Sequence, residues 1–119
     1  MFNESENGII DYPSALERIG GDRDFLFELL NIYVEEFNSA VDALDQAIEA
    51  QDYRAIQELG HSLKGSSANL SLIRLREYAF RIEASGEDRD LELARRSIEA
   101  LKQEFLRLQD HLAENGGGS

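Results

Sequence analysis

The clearest structural signal in this chain is residues 91–112, LELARRSIEALKQEFLRLQDHL. Its apolar residues recur at alternating intervals of three and four positions, which places them on one face of an α-helix. They are Leu91, Ala94, Ile98, Leu101, Phe105, Leu108 and Leu112. The same stripe could form a coiled-coil seam with another chain, but it spans only about three heptads. Packing within a helical bundle is the simpler interpretation.

Three further long helices are predicted upstream by the same periodicity. Asp22 can cap the first of them, which extends to about Ala50, and Asp52 can cap the second. Ser71 is the predicted cap of the third. The apolar stripes of these helices are Leu26, Leu30, Tyr33, Phe37, Val41, Leu44 and Ile48, then Ile56, Leu59, Leu63, Ser67 and Leu70, then Leu72, Leu75, Ala79 and Ile82.

The remaining segments are short. Residues 13–19 predict a short helix with Pro13 in its first turn, and residues 85–88, SGED, have the composition of a turn. No stretch alternates apolar and polar residues over the length of a strand, so no sheet is predicted. We therefore expect an all-α fold, an antiparallel up-down-up-down four-helix bundle with a short extra N-terminal helix. Residues 1–115 would form this single domain, and residues 116–119, GGGS, a flexible tail.

Composition narrows the classes of function. A chain of 119 residues suits one domain, and the absence of cysteine excludes disulfides, thiolate metal sites and a cysteine nucleophile. Charged residues interrupt every candidate membrane span, and no signal peptide is recognisable, so we expect a cytoplasmic protein. The net charge of -12 disfavours binding to nucleic acid and insertion into a membrane. The expected partner is another protein.

The charge is unevenly distributed along the chain. Residues 22–49 contain eight acidic residues and one basic residue. Residues 61–81 reverse this balance, with four basic residues and one acidic residue. Such a reversal favours an anionic group or an acidic partner surface at the second segment, although ordinary surface scatter would explain such small counts equally well.

His61 lies within that positive segment and on the side of its helix about 160° from the apolar stripe. An exposed imidazole is largely neutral at pH 7, and its nitrogen lone pair can accept a phosphoryl group. One turn later, Lys64 places an ammonium group where phosphate oxygens would lie. Gly65 costs about 1 kcal/mol relative to alanine inside a helix. Its missing side chain would let a partner's active site close over the ring.

Other chemistries fit the sequence less well. Glu58 and His61 form one Glu-x-x-His pair of the type found in di-iron bundles, but the position three before His111 is Leu108, so a second pair is missing. The nearby serines lack the placed base and acid that a serine nucleophile needs. No glycine-rich phosphate-binding loop is present. We therefore expect neither a metal enzyme, a serine hydrolase nor an ATP-binding protein.

Two residues of the following helix bear on His61. Glu83 could accept the Nδ1 proton of His61 and leave Nε2 as the attacking nitrogen, or it could form a plain surface salt bridge. Phe80 points away from the apolar stripe of its own helix. It could flank the reactive face or pack beneath a neighbouring segment.

Residues 61–70, HSLKGSSANL, resemble the signature of histidine-containing phosphotransfer (HPt) domains. The resemblance extends through residues 15–22 and the acidic helix after them, and so covers nearly the whole chain. It implies a four-helix bundle that relays phosphoryl groups between aspartates of receiver domains in multistep two-component signalling. It marks His61 as the phosphoacceptor, Lys64 as the cation near the phosphoryl group and Gly65 as the clearance position. Ser71 departs from the glycine usual in the family, but serine caps helices well, so we expect no loss of function.

The resemblance also implies the partners. They are receiver domains of response regulators or of a hybrid histidine kinase, with the magnesium ion and most catalytic groups on the receiver. This chain would then need no cofactor of its own and carry out no independent turnover. Apart from the resemblance, a monomer is the default expectation. By their angles on the helix, Gln57 and Ala68 join the docking face. A structural bundle with an unmodified His61 and the phosphoacceptor domain of a chemotaxis-type kinase remain open alternatives.

Overall fold

The computed structural model describes residues 8–114, which contain five α-helices and no β-strand. The helices are α1 (Tyr12–Arg18), α2 (Arg23–Ala50), α3 (Tyr53–Asn69), α4 (Ile73–Glu87) and α5 (Leu91–Glu114). Each of α2 to α4 packs against the next helix, and α5 also packs against α2, which closes the bundle. The connections are residues 51–52, 70–72 and 88–90, so consecutive helices are antiparallel neighbours. The predicted all-α four-helix bundle with a short N-terminal helix is confirmed.

The predicted tail, residues 116–119, lies outside the described residues. None of the helices within residues 8–114 has the length and hydrophobicity that crossing a membrane requires.

Aspartate side chains begin four of the five helices. In each case a carboxylate oxygen accepts a hydrogen bond from a backbone N–H three residues later, which stabilises a helix start by about 1 kcal/mol. The pairs are Asp11 with Ser14 N at 3.2 Å, Asp22 with Phe25 N at 3.1 Å, Asp52 with Ala55 N at 3.1 Å and Asp90 with Leu93 N at 3.0 Å. The caps predicted at Asp22 and Asp52 are confirmed.

The predicted cap of α4 is wrong. Leu72 is the N-cap residue of that helix, and no side-chain hydrogen bond caps it. Ser71 instead has a φ of 54°, in the left-handed region that favours glycine. Its hydroxyl donates a hydrogen bond to Ser14 Oγ at 3.1 Å and so ties the α3–α4 connection to α1.

The turn predicted at residues 85–88 is also wrong in its first three positions. Helix α4 continues to Glu87, and Ser85 and Gly86 are buried helical residues. A β-carbon on Gly86 would lie 2.5 Å from the backbone nitrogen of Gln57 on α3. Gly86 therefore serves close packing between two helices, and the turn follows it.

The predicted stripes supply most of the core between the four long helices. Val41, Ile48, Leu59 and Leu91 are only partly buried. The rings of Phe37 and Phe105 stack with centroids 3.8 Å apart.

Helix α1 covers one end of this core. Tyr12 Oη lies 2.6 Å from Nε2 of His111, near the end of α5. The backbone N–H of Asp11 donates to the carbonyl of Ser71 at 3.0 Å, between α3 and α4. These two contacts hold α1 at the end of the bundle where α3 ends and α4 begins.

Candidate functional site

His61 projects from the outer side of α3. Its side chain is 70% exposed, whereas Ile56, Gly60, Leu63 and Ser67 turn the opposite side of the helix toward the core. This is the orientation expected from the helical spacing. The imidazole is therefore accessible to a partner, and its surroundings are set by α3 and the neighbouring α4.

Close approach of the two helices brings Glu83 to the imidazole. A β-carbon on Gly60 would lie 2.5 Å from the backbone nitrogen of Glu83, so no larger residue fits there without displacing α4. The sequence analysis did not identify this role of Gly60. The available signal was its position, because Gly60 continues the buried face between Ile56 and Leu63 at helical spacing.

Glu83 joins His61 and Lys64 through the two oxygens of one carboxylate. Nδ1 of His61 lies 2.7 Å from Oε2, and Nζ of Lys64 donates to Oε1 at 2.6 Å. The Glu83 side chain is only 16% exposed, so water competes little for these bonds. The structure therefore brings together three of the residues that the sequence analysis singled out.

The charge state of Glu83 determines where the imidazole proton resides. The hydrogen bond from Lys64 is the largest influence and lowers the pKa of the Glu83 carboxyl below its usual value, against an opposing effect of burial. The contact with His61 lowers this pKa further. An ionised carboxylate can only accept, so Nδ1 must be the donor. In the neutral imidazole this leaves the lone pair on Nε2.

Lys64 is held toward α4. Its ammonium group bonds to Glu83 and lies 5.7 Å from the centroid of the Phe80 ring. The expected role of Lys64 beside a phosphoryl group remains a prediction. The geometry shows that its charge is within one helical turn of His61 and is shared with the carboxylate that orients the imidazole.

Gly65 differs from the two packed glycines. A β-carbon added there would meet no atom within 4 Å, whereas Gly60 and Gly86 abut the backbone of another helix. The described part of the chain therefore gives no packing reason for glycine at position 65. Open space next to His61 agrees with a clearance role, which the structure does not test.

The two residues placed on the docking face by angle are partly buried. Gln57 Nε2 donates to Glu87 Oε1 at 3.4 Å, a contact between α3 and α4. Ala68 lines a groove between the same helices together with Lys64 and Phe80. Docking at these positions remains a prediction.

The side chains considered for a di-metal site do not meet. Glu58 pairs with Arg54 at 3.1 Å, and His111 lies against Tyr12. Among residues 8–114 no cluster of three or more histidine or acidic side chains is arranged to hold a metal ion.

Comparison with known proteins gives concordant matches. The family model described as Hpt domain matches residues 28–111. The structure superposes on histidine-containing phosphotransfer protein B (HptB) from Pseudomonas aeruginosa PAO1 with a TM-score of 0.81 and 24% sequence identity, covering 92% of this chain and 95% of that one. This second match shows a shared fold.

Two curated proteins are also similar in sequence. Multistep phosphorelay regulator 1 of Schizosaccharomyces pombe is 41% identical over 54 residues, which are 45% of this chain and 18% of that protein. Phosphorelay intermediate protein rdeA of Dictyostelium discoideum is 31% identical over 84 residues, 71% of this chain and 33% of that protein. The chain thus spans no more than a third of the length of either relative.

Proposed function

Because this chain belongs to the Hpt domain family, we propose that it relays a phosphoryl group through His61 between aspartates of receiver domains in a multistep phosphorelay. The observation that carries the proposal is the exposed imidazole whose Nδ1 lies 2.7 Å from the Glu83 carboxylate. The phosphorelay names of the two curated relatives support the same pathway.

The transfer step follows from the protonation of the ring. The Nε2 lone pair of His61 attacks the phosphorus atom of a receiver's aspartyl phosphate, and a P–N bond forms while the P–O bond to the aspartate breaks. The aspartate carboxylate leaves with the bonding electron pair. Nδ1 keeps its proton, so the phosphorylated ring gains a positive charge. The Glu83 carboxylate compensates this charge, and the reverse step passes the phosphoryl group to a second receiver.

The neighbouring residues have separate parts in this proposal. Lys64 contributes positive charge beside the phosphoryl oxygens, where charge accumulates during transfer. Gly65 leaves room for the receiver to close over the ring, and Gln57 and Ala68 contribute to the docking face. Glu83 is a positioning residue, because it acts through the imidazole.

The catalytic groups and the magnesium ion are assigned to the receiver. This chain would then be a carrier that holds no cofactor and catalyses no turnover alone. Residues 1–115 would form one domain that acts as a monomer in the cytoplasm, which suits a chain without cysteine. Exchange of the phosphoryl group between this chain and a receiver through a small contact surface fits the transient contacts that a relay needs.

A labelling experiment tests the proposal. Purified receiver domains carrying radiolabelled phosphate are mixed with the wild-type chain and with His61→Gln, and circular dichroism verifies that the variant is folded. We expect acid-labile label on the wild-type chain and none on His61→Gln. Label that persists in the variant would exclude His61 as the carrier.

The same experiment separates the alternatives. Histidine kinases supplied with radiolabelled ATP are the second kind of donor, and a chain that takes label from them but not from phosphorylated receivers would be the phosphoacceptor domain of a chemotaxis-type kinase. A wild-type chain that takes label from neither kind of donor would be a structural bundle.

A further inference from the structure

A groove between α2 and α5 lies on the side of the bundle away from His61, and the proposed phosphoryl transfer uses none of its residues. We call it the α2–α5 groove; it is lined by Phe37 and Val41 of α2 and by Phe105 and Leu106 of α5. The imidazole and its partners lie on α3 and α4, and the helices close in the order α2, α3, α4, α5. The α2–α5 groove and the imidazole are therefore on opposite sides of the core.

The floor of the α2–α5 groove is apolar, and one of its walls is exposed. The stacked rings of Phe37 and Phe105 are buried beneath it, and Val41 is partly buried. Leu106 is 60% exposed, the largest exposed fraction of any large hydrophobic side chain among residues 8–114. A partner side chain between Val41 and Leu106 would therefore cover apolar surface that the bundle leaves in contact with water.

Helix α2 repeats one pattern beside this groove at intervals of seven residues. Apolar residues that are only partly buried recur at every seventh position, and each is followed directly by an exposed acidic residue. The pairs are Phe27 and Glu28, Val34 and Glu35, Val41 and Asp42, and Ile48 and Glu49. Seven residues are close to two helical turns, so each set forms a row along α2. A second helix packs alongside a helix with this spacing, with apolar residues in the seam and charges at its edge.

The charge at the edge of the α2–α5 groove is negative on both walls. Glu35 and Asp42 belong to the acidic row of α2, and Asp110 lies one turn after Leu106 on α5. All three side chains are exposed, and we call them the acidic rim. Negative charge on both sides of an apolar seam attracts a basic partner and repels an acidic one.

The basic residue in the lining does not offset the acidic rim. Lys102 of α5 reaches across to α2 and donates to both carboxylate oxygens of Asp45, at 3.0 and 3.1 Å. Its charge is thus compensated by a residue outside the acidic rim. A second copy of this chain would bring the same acidic rim to a two-fold contact, where like charges repel. The charge therefore favours a basic partner over a dimer of this chain.

We propose that the α2–α5 groove binds a basic amphipathic helix of a partner protein, which lies alongside α2 with its apolar residues against Val41 and Leu106 and its lysine or arginine residues beside the acidic rim. Such a contact leaves α3 and α4 uncovered. The bound partner holds the chain in place while His61 remains free to react. This interaction is independent of the proposed phosphoryl transfer and adds an anchoring surface to it.

A synthetic helix serves as the probe. It consists of three heptads with leucine at the first and fourth positions, lysine at the positions that flank them and alanine elsewhere, and a second peptide carries glutamate in place of lysine. Each peptide is titrated into the ¹⁵N-labelled full chain, where amide shifts locate the contact and their saturation gives Kd. We expect the lysine peptide to shift amides of α2 and α5 and the glutamate peptide to shift none.

Two variants of the chain remove the features that would hold the peptide. Leu106→Ser removes the exposed apolar wall, and we expect a Kd about tenfold higher, the scale of an interface hot spot. Glu35→Lys combined with Asp42→Lys reverses two charges of the acidic rim. It should also raise Kd about tenfold, because each exposed ion pair contributes a factor of up to about five.

Matched controls make the same changes elsewhere. Ile73→Ser removes an exposed apolar side chain of α4, and Glu58→Lys combined with Glu77→Lys changes the net charge by the same amount on α3 and α4. Both should bind the lysine peptide like the wild-type chain at physiological ionic strength, where charges more than about 8 Å from the contact are largely screened. Circular dichroism verifies that all four variants are folded.

Labelling with phosphoramidate, a small P–N donor, measures whether His61 stays free when the groove is occupied. With the lysine peptide at saturation, His61 should take label at the rate of the free chain. A slower rate, or amide shifts confined to α3 and α4, would place the peptide on the face of His61 and overturn the proposal. Failure of the free chain to take label would contradict the reactivity of His61 but not the groove, because the amide shifts alone decide its occupancy.

Two further results would overturn the anchoring proposal. The first is no binding of the lysine peptide to the wild-type chain, or equal weakening in the variants and their matched controls, because the overall negative charge would then explain the attraction. The second is a wild-type chain that is dimeric in sedimentation equilibrium and becomes monomeric in Leu106→Ser, which would assign the groove to a second copy.

Discussion

Gly60 packs against the backbone of Glu83, so closely that a β-carbon on Gly60 would lie 2.5 Å from the Glu83 nitrogen. The residue after Gly60 is His61, whose Nδ1 contacts the carboxylate of the same Glu83. One helix contact therefore fixes both the separation of α3 and α4 and the orientation of the imidazole. Stability and site geometry depend on the same glycine.

Replacing Gly60 with alanine should destabilise the bundle. A β-carbon there must push α4 away, and overpacking of this kind costs about 1–3 kcal/mol of stability. Alanine gains about 1 kcal/mol over glycine in helix propensity, so overpacking is the larger effect over most of its range. We expect Gly60→Ala to unfold at lower urea concentration than the wild-type chain. Gly65→Ala is the control, since its β-carbon meets no atom within 4 Å. It should be more stable by about 0.5–1 kcal/mol, and a Gly60→Ala variant equally stabilised would contradict the packing argument.

The proton of the His61 imidazole should reside on Nδ1 at neutral pH. The ionised Glu83 carboxylate can only accept, so ¹⁵N NMR of the imidazole should show the Nδ1–H tautomer as the major neutral form. In Glu83→Ala the fraction of neutral imidazole that carries its proton on Nδ1 should fall, and the labelling of His61 by phosphoramidate should slow.

Glu58→Ala is the matched control, because Glu58 is an exposed carboxylate one turn from His61 that pairs with Arg54. It should leave both the ¹⁵N spectrum and the labelling rate unchanged. If Glu83→Ala kept the wild-type tautomer ratio, the orienting role of Glu83 would be wrong.

Glu83 should make stability depend on pH in acid. In the unfolded chain its carboxyl titrates near the ordinary pKa of 4.5, and in the folded chain the hydrogen bond from Lys64 lowers this pKa. The stabilisation is therefore fully present above pH 4.5 and is lost as the pH falls through the lower, folded pKa. The stabilisation of the wild-type chain relative to Glu83→Gln should be present above pH 4.5 and shrink as the pH falls below it. A difference that increased as the pH fell below 4.5 would contradict a lowered pKa of Glu83 in the folded chain.

The sequence predicted the long helices because their stripes and two of their aspartate caps are local signals. It failed at Gly86, since a serine–glycine pair has the composition of a turn whether or not the glycine packs against another helix. What decides between the two is the backbone of Gln57, 29 positions earlier, and local composition carries no information about it. Contacts across such separations, including Tyr12 with His111, depend on how the helices assemble.

The candidate site was predictable to different degrees for the same reason. His61, Lys64 and Gly65 share one helix, so their spacing alone placed them together. Glu83 lies on another helix, and the apolar periodicity of that helix did not decide whether its side chain faces the imidazole or the solvent. The close approach of α3 and α4 at Gly60 and Gly86 supplied the missing information.

Ser71 should carry backbone strain. Its φ of 54° lies in the left-handed region, which costs a residue with a β-carbon about 1–2 kcal/mol and glycine much less. Ser71→Gly and Ser71→Ala both lose the hydrogen bond to Ser14, so their difference in unfolding free energy isolates the strain. We expect Ser71→Gly to be more stable than Ser71→Ala by about 1 kcal/mol in urea denaturation. Equal stabilities would mean that the α3–α4 connection relaxes around the alanine.

Gly65→Leu should slow phosphoryl transfer from a receiver without unfolding the chain. A side chain at position 65 enters open space, and leucine favours a helix over glycine by nearly 1 kcal/mol, so circular dichroism and urea unfolding should show a folded and more stable bundle. The leucine would nevertheless stand one turn from His61, where an approaching receiver must place its phosphorylated aspartate. Transfer from the receiver should therefore slow at least about tenfold, since loss of reactive alignment is costly. Labelling by phosphoramidate should be much less affected, because the small donor can approach around the side chain. Transfer from the receiver at the wild-type rate would show that glycine at this position has a purpose other than clearance.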